Sequence, residues 1–216
     1  LIVAGNGSAG AATGNYAILA GLKVLMIDAH HPPHTEGSHH GKSRLIRYAY
    51  GEGEKYLPLL LRCQTLWQEF EQHAGVKILH PCGVLNAGPQ GSEFMNNILQ
   101  SAERWSLNTE TLTAAAAQQR WPEITLPEHF QVVFETDAGY LDAEPAIEHW
   151  VRLAREQGCG QLFNCPVSAV TQQDNLQKVQ TADGEYFAKK LLISCGTRVQ
   201  SLLPSLPVMP TRKVFA

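Results

Sequence analysis

The chain opens on an apolar run, residues 1–4, with no alternation, as expected of a short strand buried on both faces. From residue 8 to residue 20 small and apolar side chains recur at 9, 12, 13, 16, 17 and 20. That is the i, i+3, i+4 stripe of a helix, which Gly21 ends. The tract "KVLMID" is again apolar on both faces and predicts a second, parallel strand. Strand, helix and strand within about thirty residues make one right-handed βαβ unit. Residues 29–43 then break every period in a loop rich in His, Pro, Gly and Ser, and a loop that long inside a compact domain is functional or disordered.

Helical periodicity returns at Tyr56, with apolar residues at 56, 59, 60, 63, 66, 67 and 70. "KILHPCGVLNAG" predicts a hairpin, residues 92–105 a helix and residues 114–120 a shorter one. "WPEITLPEHFQVVFETDAGYLD" predicts a turn and a strand, and residues 143–157 a helix with its stripe at 146, 147, 150, 151 and 154. Three strand-like pieces follow, "QLFNCPVSAV", "KVQTADGEYFA" and "KKLLISCG", the first two joined through "QQDNLQ". No linker, repeat or low-complexity tract intervenes. The expected fold is α/β, with a Rossmann-like βαβ domain interwoven with an α+β region.

Composition adds mainly exclusions. At 216 residues, 44% apolar and 17% charged, the chain can bury a core of ordinary size. No run of eighteen apolar residues occurs and no basic leader precedes residue 1, so neither a membrane span nor a secretory signal is expected. A net charge of −3 argues against general binding to nucleic acid or to a membrane surface. The five cysteines (63, 82, 159, 165 and 195) are odd in number and show no C-x-x-C spacing. They predict reduced, mostly buried thiols in the cytoplasm, with neither a metal site nor a disulfide framework. The opening inside an apolar run, without an initiator Met, suggests a fragment.

"GNGSAG" sits between the first strand and the first helix, where a nucleotide-binding turn belongs. Gly5 permits the tight turn, Gly7 lets the backbone approach a pyrophosphate, and Gly10 lets the helix pack on the strand. Asp28 ends the second strand, eighteen residues past Gly10, near the ~20 expected of a carboxylate that takes a ribose hydroxyl pair. An acid there disfavours the 2′-phosphate of NADP. A dinucleotide is expected, and the absence of βαβαβ repetition favours FAD over NAD.

Beyond Asp28, "HTEGSHHGKSRLIR" gathers three histidines, a lysine and two arginines against one glutamate. His39 and His40 are adjacent and diverge in helix or strand alike, so a metal would need ligands from elsewhere. One loop in an acidic chain is no nucleic-acid surface. Arg44 and Arg47 are three apart and would share a face on a helical turn, where their planar guanidinium forks suit a carboxylate. Pairing of both arginines with surface acids is an equal alternative.

At this point the sequence resembles a known family. "PPHTEGSHHGKSRLIRYAYGEGEKYLPLLLRCQTLW", "AGLKVLMIDAH", "RWPEI", "FETDAGYL", "LFNCPV", "TADGEY" and "RKVFA" are similar to segments of the monomeric sarcosine oxidase family. Those enzymes are FAD-dependent amine oxidases of the D-amino-acid-oxidase-like superfamily, and the resemblance runs the length of the chain. It implies oxidation of an N-methyl amino acid to an imine by hydride transfer to FAD, hydrolysis to the demethylated amino acid and formaldehyde, and reoxidation by oxygen to give hydrogen peroxide. It implies that Arg47 binds the substrate carboxylate and that Arg44 and His40 are catalytic, beside the flavin ring. Gly5, Gly7, Gly10, Asp28, Ser38, Ser43, Arg44, Val167 and Gly196 are the implied FAD-binding positions.

The resemblance also implies FAD-binding segments at 1–75 and 143–206, a substrate segment at 76–142 and the start of further substrate domain at 207–216. Family members continue for about 150 residues more, which fits the size of a two-region enzyme. The cysteine that bonds FAD covalently is expected in that remainder, and the five present here are read as structural. Lys42, Ser43 and Arg198 depart from the family, which shows an acid, Thr and Trp there. A monomer is expected. Sarcosine as substrate, and a non-catalytic dinucleotide-binding fragment, are the rival readings.

Overall fold

The computed structural model describes residues 1–211, which form two compact units. One comprises residues 1–42 and the chain from Ala143 onward, the other Ser43–Asp142. The chain thus enters the second unit at Ser43, and residues 43–75, expected with the FAD-binding part, belong to that unit instead. The "RKVFA" motif lies outside the described residues.

In chain order the first unit begins with β1 (Ile2–Ala4), α1 (Ser8–Leu19) and β2 (Leu25–Ile27). The second contains β3 (Ser43–Ile46), α2 (Leu57–Ala74), β4 (Leu79–His80), β5 (Val84–Pro89), α3 (Glu93–Arg104) and β6 (Thr109–Thr113). It is completed by α4 (Ala114–Arg120), β7 (Phe130–Glu135) and β8 (Gly139–Asp142). The first unit resumes with α5 (Ala143–Glu156), β9 (Gly160–Leu162), β10 (Val167–Gln173), β11 (Leu176–Thr181), β12 (Gly184–Ala188), β13 (Leu191–Ile193) and α6 (Val199–Leu202).

The core of the first unit is a parallel sheet in the order β13-β1-β2-β9. All three residues of β1 are buried, as an unalternating apolar run requires. On α1 the buried positions are Gly10, Ala11, Gly14 and Asn15. A Cβ at Gly14 would lie 2.8 Å from the Met26 sulfur, so the missing side chain lets the helix settle onto β2. α5 packs against α1, and its buried positions, Ala146, Ile147, Trp150, Val151, Leu153 and Ala154, include the expected stripe. Strands β10, β11 and β12 form an antiparallel meander whose first turn, Asp174–Asn175, has φ of 47° and 63°. Asn and Asp tolerate that left-handed geometry, which matches the twist of a two-residue hairpin. Val179 of the meander joins Ile2, Ile27 and Cys165 in one buried cluster.

The second unit holds two three-stranded antiparallel sheets, β3-β8-β4 and β5-β7-β6. Here the expected hairpin over "KILHPCGVLNAG" does not form. β4 pairs with β8 and β5 with β7, and Gly83 between them, at φ 85°, turns the chain from one sheet to the other. The tract expected as a single strand breaks at residues 136–138 into β7 and β8, the central strands of the two sheets. β3 also corrects an expectation. Arg44 lies within an extended strand and Arg47 just past it, so their odd spacing does not give the shared face of a helical turn.

Candidate functional site

The glycine turn lies at the carboxyl end of the parallel sheet, where β1 pairs on one side with the next strand, β2, and on the other with β13, far later in the chain. Such a switch point is where open α/β sheets receive ligands. Gly5 has φ 90°, and a Cβ there would lie 2.7 Å from the carbonyl carbon of Ser194 at the end of β13. The Ser194 hydroxyl donates to Gly5 O at 2.6 Å and locks the turn to that strand. A Cβ at Gly10 would stand 1.9 Å from Gly5 O. α1 begins at once, its N-cap is Gly7 with no side-chain cap, and its first turn holds no acid. Its leading N–H groups and the positive end of its dipole are therefore presented to an anion.

Asp28 is 6% exposed and closes the other side of the turn. Its Oδ2 accepts the Asn6 N–H and its Oδ1 accepts the His30 N–H at 2.9 Å. Each oxygen keeps a lone pair for a further donor. The cavity between these parts measures about 340 Å³. Ser38, Val167 and Gly196 line it too, so the structure brings seven expected cofactor residues together: Gly5, Gly7, Gly10, Asp28, Ser38, Val167 and Gly196 about one glycine turn. A cradle without side chains, an uncapped helix start and a carboxylate facing it fit the ADP portion of a dinucleotide.

Several lining residues carried no expectation or a different one. His39, read as plain loop, is 5% exposed and packs against two glycines. A Cβ at Gly37 would lie 2.3 Å from its ring, and one at Gly7 3.1 Å from its Nδ1. Its Nε2 accepts the His34 N–H at 3.3 Å, which puts the proton of a neutral ring on Nδ1, facing the turn. His34, also read as loop, places its ring Nε2 3.3 Å from Asp28 Oδ1, outside hydrogen-bonding geometry. Arg198 bridges two lining loops, with Glu36 at 2.8 Å and His30 Nε2 at 3.4 Å. Cys195, read as structural, lines the same cavity. Burial and then the charge of Asp28 push its thiol up, which keeps it protonated and unreactive. Nor are the cysteines mostly buried: Cys63 and Cys82 are exposed. No local pattern marks His39, because the small residue that admits its ring at Gly7 is over thirty positions away.

His40 is exposed, with Nδ1 3.1 Å from Glu144 Oε1 at the start of α5. The Gly41 N–H, and next His40, hold the Glu144 carboxyl below the usual range, so Glu144 fastens the end of the basic loop. Ser43, Arg44 and Arg47 belong to the second unit. Ser43 is exposed, and the half-buried Arg44 donates from Nη1 to Ser43 O at 2.7 Å. Arg47 pairs with Glu52 at 2.7 Å and lies over the Tyr50 ring at 5.2 Å. The rival expectation, pairing with a surface acid, is thus realised at Arg47. Lys42 is exposed, and its carbonyl accepts the Ala143 N–H at 3.1 Å.

A family model described as FAD dependent oxidoreductase matches residues 1–215. N-methyl-L-tryptophan oxidase of Citrobacter koseri is 59% identical over the whole chain, and that of Escherichia coli O139:H28 is 56% identical. The chain spans 58% of the length of these curated relatives. Among solved structures, the open form of NikD, an unusual amino acid oxidase, superposes with a TM-score of 0.83 at 24% identity, covering 94% of this chain and 52% of its own. L-proline dehydrogenase from P. horikoshii gives 0.81 at 18% identity, covering 94% of this chain and 54% of its own. These likenesses establish the fold.

Proposed function

The chain belongs to the FAD dependent oxidoreductase family, and from that premise we propose that it is part of an oxidase that demethylates an N-methyl amino acid, N-methyl-L-tryptophan foremost. The observation that carries the reading is the bare cradle of Gly5, Gly7 and Gly10 facing Asp28. When bound, FAD would supply the hydride acceptor for an oxidation whose final electron acceptor is oxygen and whose by-product is hydrogen peroxide. The start of α1 would hold the pyrophosphate, and the Asp28 carboxylate would accept ribose hydroxyls. Ser38, Val167 and Gly196 complete that binding, and Ser43 and Arg44 are the remaining proposed cofactor positions.

Arg47 takes the substrate carboxylate. It starts from an ion pair with Glu52 beside Tyr50, so an incoming carboxylate competes with Glu52 for a guanidinium already desolvated on one side. Arg44 and His40 are the cations assigned to the flavin. The first unit is the FAD-binding part, and the second carries the substrate side. A single soluble subunit is proposed, acting in the cytoplasm on a small amino acid and oxygen, and no helix among the described residues is long and apolar enough to cross a membrane.

The test is to express the full-length protein, record its visible spectrum before and after denaturation, and assay peroxide with N-methyl-L-tryptophan and with sarcosine. A yellow protein that releases peroxide fastest with the indole substrate is expected. Faster turnover of sarcosine shifts the substrate assignment, and a colourless protein without peroxide leaves only a nucleotide-binding module. Arg47→Ala should raise KM for carboxylated substrates about a hundredfold, the ~3 kcal/mol of a lost charge-assisted pair, while flavin content is retained. An unchanged KM would remove Arg47 from the substrate site.

A further inference from the structure

Three histidine rings stand in a row beside the buried Asp28 carboxylate, and binding of a dinucleotide as described so far gives none of them a role. His34 is in the middle, its ring centroid 5.0 Å from that of His30 and 5.1 Å from that of His39. Its side chain is 15% exposed, and like Asp28 it lines the cradle cavity. Neither ring nitrogen of His34 has a hydrogen-bond partner among the described residues, yet Nε2 lies only 3.3 Å from Asp28 Oδ1. A buried imidazole in that position stays unsatisfied until it donates to the carboxylate.

The neighbours decide which ring can hold a second proton. His39 Nε2 accepts the His34 N–H at 3.3 Å, so a proton there would set donor against donor. His30 Nε2 lies 3.4 Å from Arg198 Nη1, which can only donate, and a charged His30 would face a guanidinium. His34, by contrast, faces a carboxylate, and an opposite charge that close favours the charged ring. The other titratable groups about the row are already engaged. Arg198 pairs with Glu36 at 2.8 Å, Glu144 is held by His40 and the Gly41 N–H, and His31 packs edge-on against Phe163 at 5.3 Å. Burial and then Asp28 keep the Cys195 thiol protonated. Asp28 meanwhile puts a negative charge beside the turn that would take a diphosphate. Two anions in one half-enclosed cavity repel each other, and a proton on His34 offsets one of them.

We propose, on the reading of the cradle as an ADP-binding site, that dinucleotide binding is coupled to uptake of a proton from solvent by His34. The cation then pairs with Asp28 Oδ1 and leaves Oδ2 for the ribose, which makes His34 a positioning residue and not a ligand. The test uses full-length protein expressed without riboflavin and, as probe, ADP-ribose, whose diphosphate is esterified at both ends and does not titrate near neutrality. Calorimetric titration in two buffers of different ionisation enthalpy should show net proton uptake on binding. The affinity should rise about threefold per unit as pH falls from about 8 to about 6, the range in which histidine changes charge. His34→Gln should bind ADP-ribose with neither proton uptake nor pH dependence, whereas His30→Gln should keep both. Nitrogen-15 spectra of histidine-labelled wild-type protein, which need no substitution, should show one ring gaining a second N–H when ADP-ribose is added. Binding without proton uptake, or uptake that survives in His34→Gln or is lost instead in His30→Gln, would overturn this proposal and leave the cradle standing. No binding of ADP-ribose at all would overturn both.

Discussion

On the proposed function, the two units prepare for ligands by opposite means. The first does so by omission: at Gly5, Gly7 and Gly10 the backbone itself is the binding surface, and a helix start is left uncapped. The second does so by addition, with Arg44 and Arg47 set at a strand and its end, and Glu135 pinning the segment that follows. The difference teaches where each is fragile. An omission tolerates no added atom, whereas an added charge can be exchanged for another at graded loss.

The largest expected effect therefore belongs to Gly10→Val. Its Cβ would meet Gly5 O at 1.9 Å, so the turn and the helix cannot both stay where they are. A loss of about 3 kcal/mol of stability is expected from such overpacking, with no flavin retained. Thermal unfolding and the visible spectrum of the full-length variant check both parts, and a yellow, stable variant would break the contrast between the units. Next comes Glu135→Ala in the second unit. It strips two buried N–H groups of their acceptor at about 1 kcal/mol each, the lower end for an unsatisfied group, so denaturant unfolding should show a loss of about 2 kcal/mol. Glu135→Gln, which keeps one acceptor oxygen, should recover part of it.

The smallest effect sharpens the comparison through pH. Glu71 near the end of α2 accepts the N–H groups of Ile78 and Leu79, both at 2.7 Å, and pairs with Lys77 at 3.2 Å. Burial pushes this carboxyl up, but the two N–H groups and then Lys77 outweigh it and hold it below its ordinary value of 4.5. A depressed carboxylate contributes stability above its unfolded pKa and loses it as pH falls through the folded one. Glu71→Gln should be less stable by about 1 kcal/mol at neutral pH, and the gap should shrink on acidification below that ordinary value. A gap independent of pH would show that charge is not what holds α2 to β4.

How far these features were legible follows from the range over which each is decided. The glycine turn, α1 and α5 are set by residues within one or two helical turns, and the periodicity at 146, 147, 150, 151 and 154 carries through to burial of that face of α5. The pairings of β4 and β5 are decided by strands roughly forty to sixty residues later, so a local hairpin pattern misleads there. At Arg44 and Arg47 a spacing of three suits a helix, but the chain pairs with β8 and is extended. His39 is hidden for a related reason, since the space its ring fills is created by Gly7 and Gly37 together. Cys195 escapes because its place beside the turn depends on β13 pairing with β1.

That last pairing has a consequence for synthesis on the ribosome. Ile2 of β1 pairs with Leu191 of β13, whereas every strand partner of the second unit lies between residues 43 and 142. The interior unit can collapse as soon as residue 142 leaves the exit tunnel, while β1 waits for a strand made nearly 190 residues after it. At about 5–20 residues per second, β1 remains without its β13 neighbour for roughly ten to forty seconds. During that interval α1, whose buried face is built from two glycines, an alanine and an asparagine, has little apolar surface of its own to lose to a wrong partner. The small residues that leave the proposed cradle bare also keep that segment quiet while it waits.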